Sequence, residues 1–190
     1  RRFSVDADVC LGKNDLPLFK EILKTKHFEL VKRKDLKDIY KGSFECYTKK
    51  VRLPVTVDLM IGSVVSRQTN ASVSFEKLYK NSAIKKVIGI EKTISARIPA
   101  KEILIALKIN SARLTDARDI VALCHDIDFD IVAEFMDNSK EIHDNLNNLL
   151  SYFKSDNFKD AFKGVFSIEK LPKGSIENAI KLMEKLKSNI

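Results

Sequence analysis

Cysteine is scarce in this chain, and what there is lies apart. Cys10, Cys46 and Cys124 are odd in number and form no Cys-x-x-Cys pair. That argues against a disulfide framework or a zinc site and for free buried thiols in a reducing cytosol. Histidine is equally sparse: His27, His125 and His143 are scattered without His-Glu-x-x-His spacing, so no zincin site and no Ser-His-Asp or Cys-His site can be built on them. No Gly-x-x-x-x-Gly-Lys-Ser/Thr or Gly-x-Gly-x-x-Gly occurs, which excludes P-loop and Rossmann nucleotide sites. No apolar run approaches the roughly 20 residues of a membrane span, no signal peptide is visible, and there is no internal repeat or low-complexity segment.

What is present is a foldable, basic chain of 190 residues with 44% hydrophobic and 32% charged residues and a net charge of +8. This suits one domain with a good core, or one domain with a helical appendage. The charge favours an anionic partner such as a nucleotide, RNA or a phosphoryl group. High Lys, Glu and Ile content also suits a thermophile. Lys32, Arg33, Lys34, Lys37, Lys41, Lys49, Lys50 and Arg52 crowd the turns between early strands, either as a solvated rim or as contacts to a nucleic-acid backbone.

The most informative stretch is Arg1–Leu11. Asp6 and Asp8 are spaced i, i+2, which on a strand points both carboxylates to one face and Val5, Ala7 and Val9 to the other. Paired carboxylates repel unless a cation lies between them, and a hard ion such as Mg²⁺ takes such oxygen ligands together with substrate phosphates. A solvated strand end is the alternative. Asp58 lies inside Leu53–Gly62, a run that otherwise reads as a buried strand, where an ionised carboxylate is costly unless paired or bound to metal. If the two strands are neighbours, three carboxylates share one surface; if the second is an edge strand, Asp58 sits in water. The chain opens on Arg1-Arg2 without Met, directly at this motif, which implies that residues precede it.

Further along, Asp15 and Pro17 open a helix with the stripe Leu16, Phe19, Ile22 and Leu23. His27–Arg33, Gly42–Tyr47 and Arg52–Ile61 read as strands, the polar Gly62–Ser74 as an exposed loop, and Phe75–Asn81 as a short helix. Lys86–Ile90 and Thr93–Ile98 read as a hairpin. Pro99 opens an apolar helix through Ser111, and Thr115 caps the next. From Asp128 onward the pattern is helical, at about 129–137, 139–154, 156–163 and 175–188. The expected architecture is α+β: an α/β domain over residues 1–98 with a mixed sheet and flanking helices, then a helical domain over 99–190.

Lys108 is the odd residue in the apolar helix, either snorkelling to water or presented as a phosphate-binding cation. Arg113, Asp116, Arg118 and Asp119 open the following helix. For Asp116 a surface residue favoured by the helix dipole is a sufficient reading; for Arg113 and Asp119 a scaffolding bond to a neighbouring helix is an equal alternative. Asp126, Asp128 and Asp130 do not form a calcium loop, since Ile131 and Asp137 fall where Gly and Glu are required; Asp128 or Asp130 reads as a helix N-cap.

The order Arg2-Phe3-Ser4-Val5-Asp6-Ala7-Asp8, Val57-Asp58-Leu59, then Ile98–Lys108 and Ala112–Ile120 resembles the nucleotidyltransferase superfamily that includes DNA polymerase β. It is most similar to the minimal nucleotidyltransferases and the abortive-infection (AbiEii-type) toxin group. The family's Gly-Gly or Gly-Ser turn belongs before Arg1, and Ala7 replaces its usual Ile. The resemblance implies an Mg²⁺-dependent enzyme with a two-ion site on Asp6, Asp8 and Asp58. Asp58 would help to activate the attacking hydroxyl. Ser4, Lys108, Arg113 and Asp119 would bind the NTP. The acceptor is RNA, a protein or a small molecule, and the setting cytoplasmic. Two other readings remain open. One is a non-catalytic binding or toxin–antitoxin module on the same fold. The other is a haloacid-dehalogenase-type phosphatase, suggested by Asp6-Ala7-Asp8-Val9 but lacking that family's long apolar strand and later acidic pair.

Overall fold

Alternating apolar and polar residues build two strands, β1 (Asp6–Leu11) and β4 (Val55–Ile61), whose even and odd positions part to opposite faces. The structure is a computed structural model and describes residues 6–36, 42–89, 92–166, 168, 170 and 172–188. The fold is α+β, with a four-stranded mixed sheet, two small two-stranded sheets and helices. The chain divides into two compact units, one of residues 1–65 and 72–80, the other of 66–71 and 81–190.

In the first unit the sheet order is β1-β4-β3-β2, with β2 Glu29–Asp35 and β3 Ser43–Lys49. β1 and β4 run parallel; β4–β3 and β3–β2 are antiparallel. A parallel pair needs a crossover, and the chain supplies it with α1 (Leu16–Thr25), β2 and β3. The stripe Leu16, Phe19 and Leu23 of α1 packs with Leu11, Tyr47, Leu59 and Ile61 on one face of the sheet. Leu59 is fully buried, and burying a side chain of that size contributes roughly 1.5–3 kcal/mol. Gly42 is required by close packing: a Cβ there would lie 2.7 Å from the Ile61 carbonyl oxygen.

Gly62–Ser74 is not the exposed loop expected from its polarity. It holds an antiparallel ribbon, β5 (Ser63–Val65) with β6 (Ser72–Ser74), and buries Ser63, Thr69, Ala71 and Val73. Local hydroxyl bonds satisfy the polar residues: Ser66 Oγ accepts from the amides of Gln68 and Thr69, and Thr69 Oγ1 accepts from the Ala71 amide. Helix α2 (Phe75–Lys80) follows.

The second unit begins with the hairpin β7 (Ser82–Ile88) and β8 (Thr93–Pro99). The expected join near residue 99 is therefore displaced to residue 80, because the hairpin belongs with the helices and the Ala100 amide is bonded back to the Asn81 carbonyl. Pro99 closes β8 rather than opening a helix. Helix α3 (Lys101–Ser111) is central and fully buries Ile103, Ile105, Ala106 and Ile109. Helices α4 (Ala117–Leu123), α5 (Phe129–Phe135) and α6 (Lys140–Lys154) pack on it, α7 (Asp156–Phe166) packs on α6, and α8 (Lys173–Ser188) packs on α4, α5 and α6. Asp128 caps α5, its Oδ1 accepting from the Asp130 amide at 2.9 Å, as expected. Thr115 is not a cap; it lies inside a 3-10 turn at Leu114–Asp116.

The carbonyl end of α3 is closed by side chains. Asn145 Nδ2 donates to Ile109 O at 2.8 Å and Thr69 Oγ1 to Asn110 O at 2.5 Å. Turning the Gln68 amide lets its nitrogen donate to the carbonyls of Ser111 and Ala112. The buried Asn110 in turn donates to Phe135 O and accepts from the Asp137 amide, tying the end of α5 to α3.

Candidate functional site

The strand register decides where the three aspartates lie. Asp8 is paired with Asp58 across β1–β4, and Asp6 with Thr56. Residues directly opposite on neighbouring strands share a face, as do residues two apart on one strand, so Asp6, Asp8 and Asp58 share the face away from α1. Asp6 and Asp8 are exposed and Asp58 is half-buried. Asp58 Oδ1 is shut off from solvent and has no hydrogen-bond partner.

The row continues. Asp58 is paired on its other side with Cys46 of β3, and Cys46 with Lys32 of β2. Lys32, Cys46, Asp58 and Asp8 thus form one line across the sheet. Burial raises the Cys46 thiol's pKa, and the neighbouring Asp58 carboxylate raises it further. A second row, Lys34, Phe44, Met60 and Cys10, runs beside the first. Burial, with Glu76 nearby, pushes the Cys10 thiol up to about 11.

The opposite face holds an acid that the sequence did not single out. Glu45 is 1% exposed, bonded by Lys20 Nζ at 2.8 Å and by the Tyr47 hydroxyl at 2.7 Å, with Arg33 Nε at 3.8 Å. Burial raises its pKa, but the bonds from Lys20 and Tyr47 and the cationic charges outweigh this and hold it below the usual carboxylate value. The available signal was its phase, two residues before Tyr47 on β3.

Other expected nucleotide-binding residues are engaged within the second unit. Lys108 Nζ donates to Asp119 Oδ2 at 2.7 Å and Asp116 Oδ1 at 3.3 Å. Arg113 Nε donates to Asp116 Oδ2 at 2.9 Å, and Ser111 Oγ to the same oxygen at 2.6 Å. Lys108 is thus an ion-paired lysine rather than one that merely snorkels; Asp119 forms a scaffolding bond to the neighbouring helix α3, whereas Arg113 bonds locally to Asp116, three residues on. Asp116, read as a surface residue, is 5% exposed and is the hub of this network. Burial pushes its pKa up, and the Ser111 bond, the Lys108 charge and the Arg113 pair more than reverse that. Ser4 lies outside the described residues.

The aspartates' donor set suits a hard divalent cation: acid oxygens, one of them buried and unpartnered. Among the described residues, no group of three or more His, Cys, Asp or Glu is gathered closely enough to hold a metal ion, so the shared face is the finding and a closed ligand shell is not. No protein-family model matches the chain, and no curated protein matches it. Among the described residues, no helix is long and apolar enough to cross a membrane.

Proposed function

We propose that the protein is an Mg²⁺-dependent nucleotidyltransferase that moves a nucleoside monophosphate from an NTP to a hydroxyl. The observation that carries this is the pairing of Asp8 with Asp58 on parallel strands, with Asp6 on the same face and Asp58 Oδ1 buried without a partner. Asp6, Asp8 and Asp58 would hold the metal. When bound, Mg²⁺ would supply the positive charge that offsets the triphosphate. The chain's own contribution is positional. β1 holds Asp6 and Asp8 toward the triphosphate, and β4 holds Asp58 where it accepts a hydrogen bond from the attacking hydroxyl and orients it. Lys108 is paired with Asp119 and Asp116, and Arg113 with Asp116, so the reading does not depend on them.

The test is pyrophosphate release and label transfer from each α-labelled NTP, with Mg²⁺ and RNA, protein and small-molecule hydroxyl acceptors. Transfer is expected for wild type and a loss of about 100-fold or more for Asp8→Asn and Asp58→Asn, the size of effect typical for removing a charge-stabilising group. Equal turnover in wild type and both variants would overturn the proposal. NTP binding without pyrophosphate release would favour a non-catalytic module on the same fold.

A further inference from the structure

The sheet face that carries the aspartates has opposite charge at its two edges. Asp6 and Asp8 stand on β1, and Lys32 and Lys34 stand three strands away on β2, in the rows that pass through Asp58 and Met60. Neighbouring strands are about 4.8 Å apart, so the row from Lys32 to Asp8 spans roughly 14 Å. Lys32 and Lys34 are separated by two residues of strand, roughly 6.7 Å, close to the spacing of successive phosphates along an extended nucleic-acid strand. Arg33, between them, turns to the other face, where it meets Asp35 and Glu45. Lys32 and Lys34 are exposed, and among the described residues no hydrogen bond or ion pair engages either. Between the charged edges lies Phe44, half-buried and paired directly with Lys34. A basic edge with an aromatic ring beside it is the combination that holds single strands, phosphates on the cations and a base on the ring.

We propose that this face is a track for single-stranded nucleic acid, with consecutive phosphates on Lys32 and Lys34, a base against Phe44 and the strand's terminal hydroxyl led along the row to Asp58. The last element rests on the transferase reading; the binding of the strand does not. Because the cationic contacts are to the phosphodiester backbone, ribo- and deoxyribo-oligonucleotides both bind; an equivalent duplex, whose paired bases cannot reach Phe44, binds less well.

The test is fluorescence anisotropy of a labelled oligonucleotide of about a dozen nucleotides, without NTP, as a function of salt. Each phosphate contact to a single strand contributes about 0.7 to the slope of log K against log salt. Lys32→Gln/Lys34→Gln is therefore expected to reduce the slope by about 1.4 and to weaken binding about tenfold near 0.15 M salt. Each single variant should show half the slope change, which keeps the test decisive if the double variant folds poorly. The control Lys24→Gln/Lys26→Gln removes the same charge from the end of α1, the helix that covers the opposite face, and should leave the slope unchanged. Equal weakening by the two pairs, or a slope indifferent to Lys32 and Lys34, would overturn the proposal. Asp8→Asn separates the two readings: the track predicts that it still binds the oligonucleotide, while the transferase reading predicts that it no longer transfers nucleotide.

Discussion

Cys46 on β3 is paired directly with Asp58 on β4, beside the strand pair that sets Asp58 against Asp8, and the Asp58 charge adds to burial in holding the Cys46 thiol protonated. A thiol so placed reports on the charge of its neighbour, because the thiolate that reacts is the form Asp58 disfavours. Asp58→Asn should lower the Cys46 pKa and speed its alkylation at pH 8. Cys124, pushed up to about 12 chiefly by burial, should be unaffected. Mass-spectrometric rates for the two thiols check this, and an unchanged Cys46 rate would mean that burial alone controls it.

A second prediction concerns repulsion. Asp8 and Asp58 are directly paired and Asp6 is near, and like charges directly opposite on neighbouring strands are unfavourable unless a cation offsets them. Asp8→Asn should leave the metal-free melting temperature unchanged or slightly raised, and should abolish any rise produced by Mg²⁺. A large drop without metal would make Asp8 a structural residue.

The buried Glu45 gives a stability prediction. Lys20→Met leaves a carboxylate that is 1% exposed without its closest cation. Losing one partner of a fully buried pair costs 3–5 kcal/mol, but Lys20 is itself 38% exposed and Arg33 is at hand, so about 2 kcal/mol is expected by urea denaturation at neutral pH. Lys20→Met/Glu45→Gln should recover most of that loss, and additive losses in the double variant would show that the pair is not coupled.

Asp116 gives a pH dependence with a definite sign. Its pKa is lower in the folded protein than in the unfolded chain, so its stabilisation is fully present above the unfolded value, about 3.9. It is lost as the pH falls through the lower folded value. The stability gap between wild type and Asp116→Asn should be constant above about pH 5 and shrink below about pH 4. Denaturant midpoints at several pH values measure it; a gap that widens in acid would contradict the assigned direction.

The face of Asp6 and Asp8 was legible because strand period is local: two acids two apart need only an extended backbone to point the same way. Asp58 was legible as an acid in an apolar run, and the later helices by their spacing, with α6 and α8 within a few residues of expectation. What was not legible depends on distant partners. Glu45 is buried because Lys20, 25 residues earlier, reaches it, and nothing in Ser43–Lys49 alone favours Tyr47 over Phe44 as the core residue. Asp116 looks like a first-turn acid until Lys108 and Arg113 close on it. Thr69 looks like a loop hydroxyl until it meets the Asn110 carbonyl, 41 residues on. The alternation of Lys32, Arg33 and Lys34 between faces required the register of β2 on β3, including the irregularity between Leu30 and Lys32.

The side chains that close the end of α3 bear on how this protein can be cut. Residues 66–71 belong to the helical unit yet lie in sequence within the first, between β5 and β6. A fragment starting at Asn81 would keep every helix from α3 onward and Asn145 with them, but would lack Thr69 and Gln68, leaving the carbonyls of Asn110, Ser111 and Ala112 without the donors that meet them. Limited proteolysis at residue 80 would not release a self-sufficient piece, and dissection of the two halves succeeds only if the six-residue segment is reattached, for instance by circular permutation.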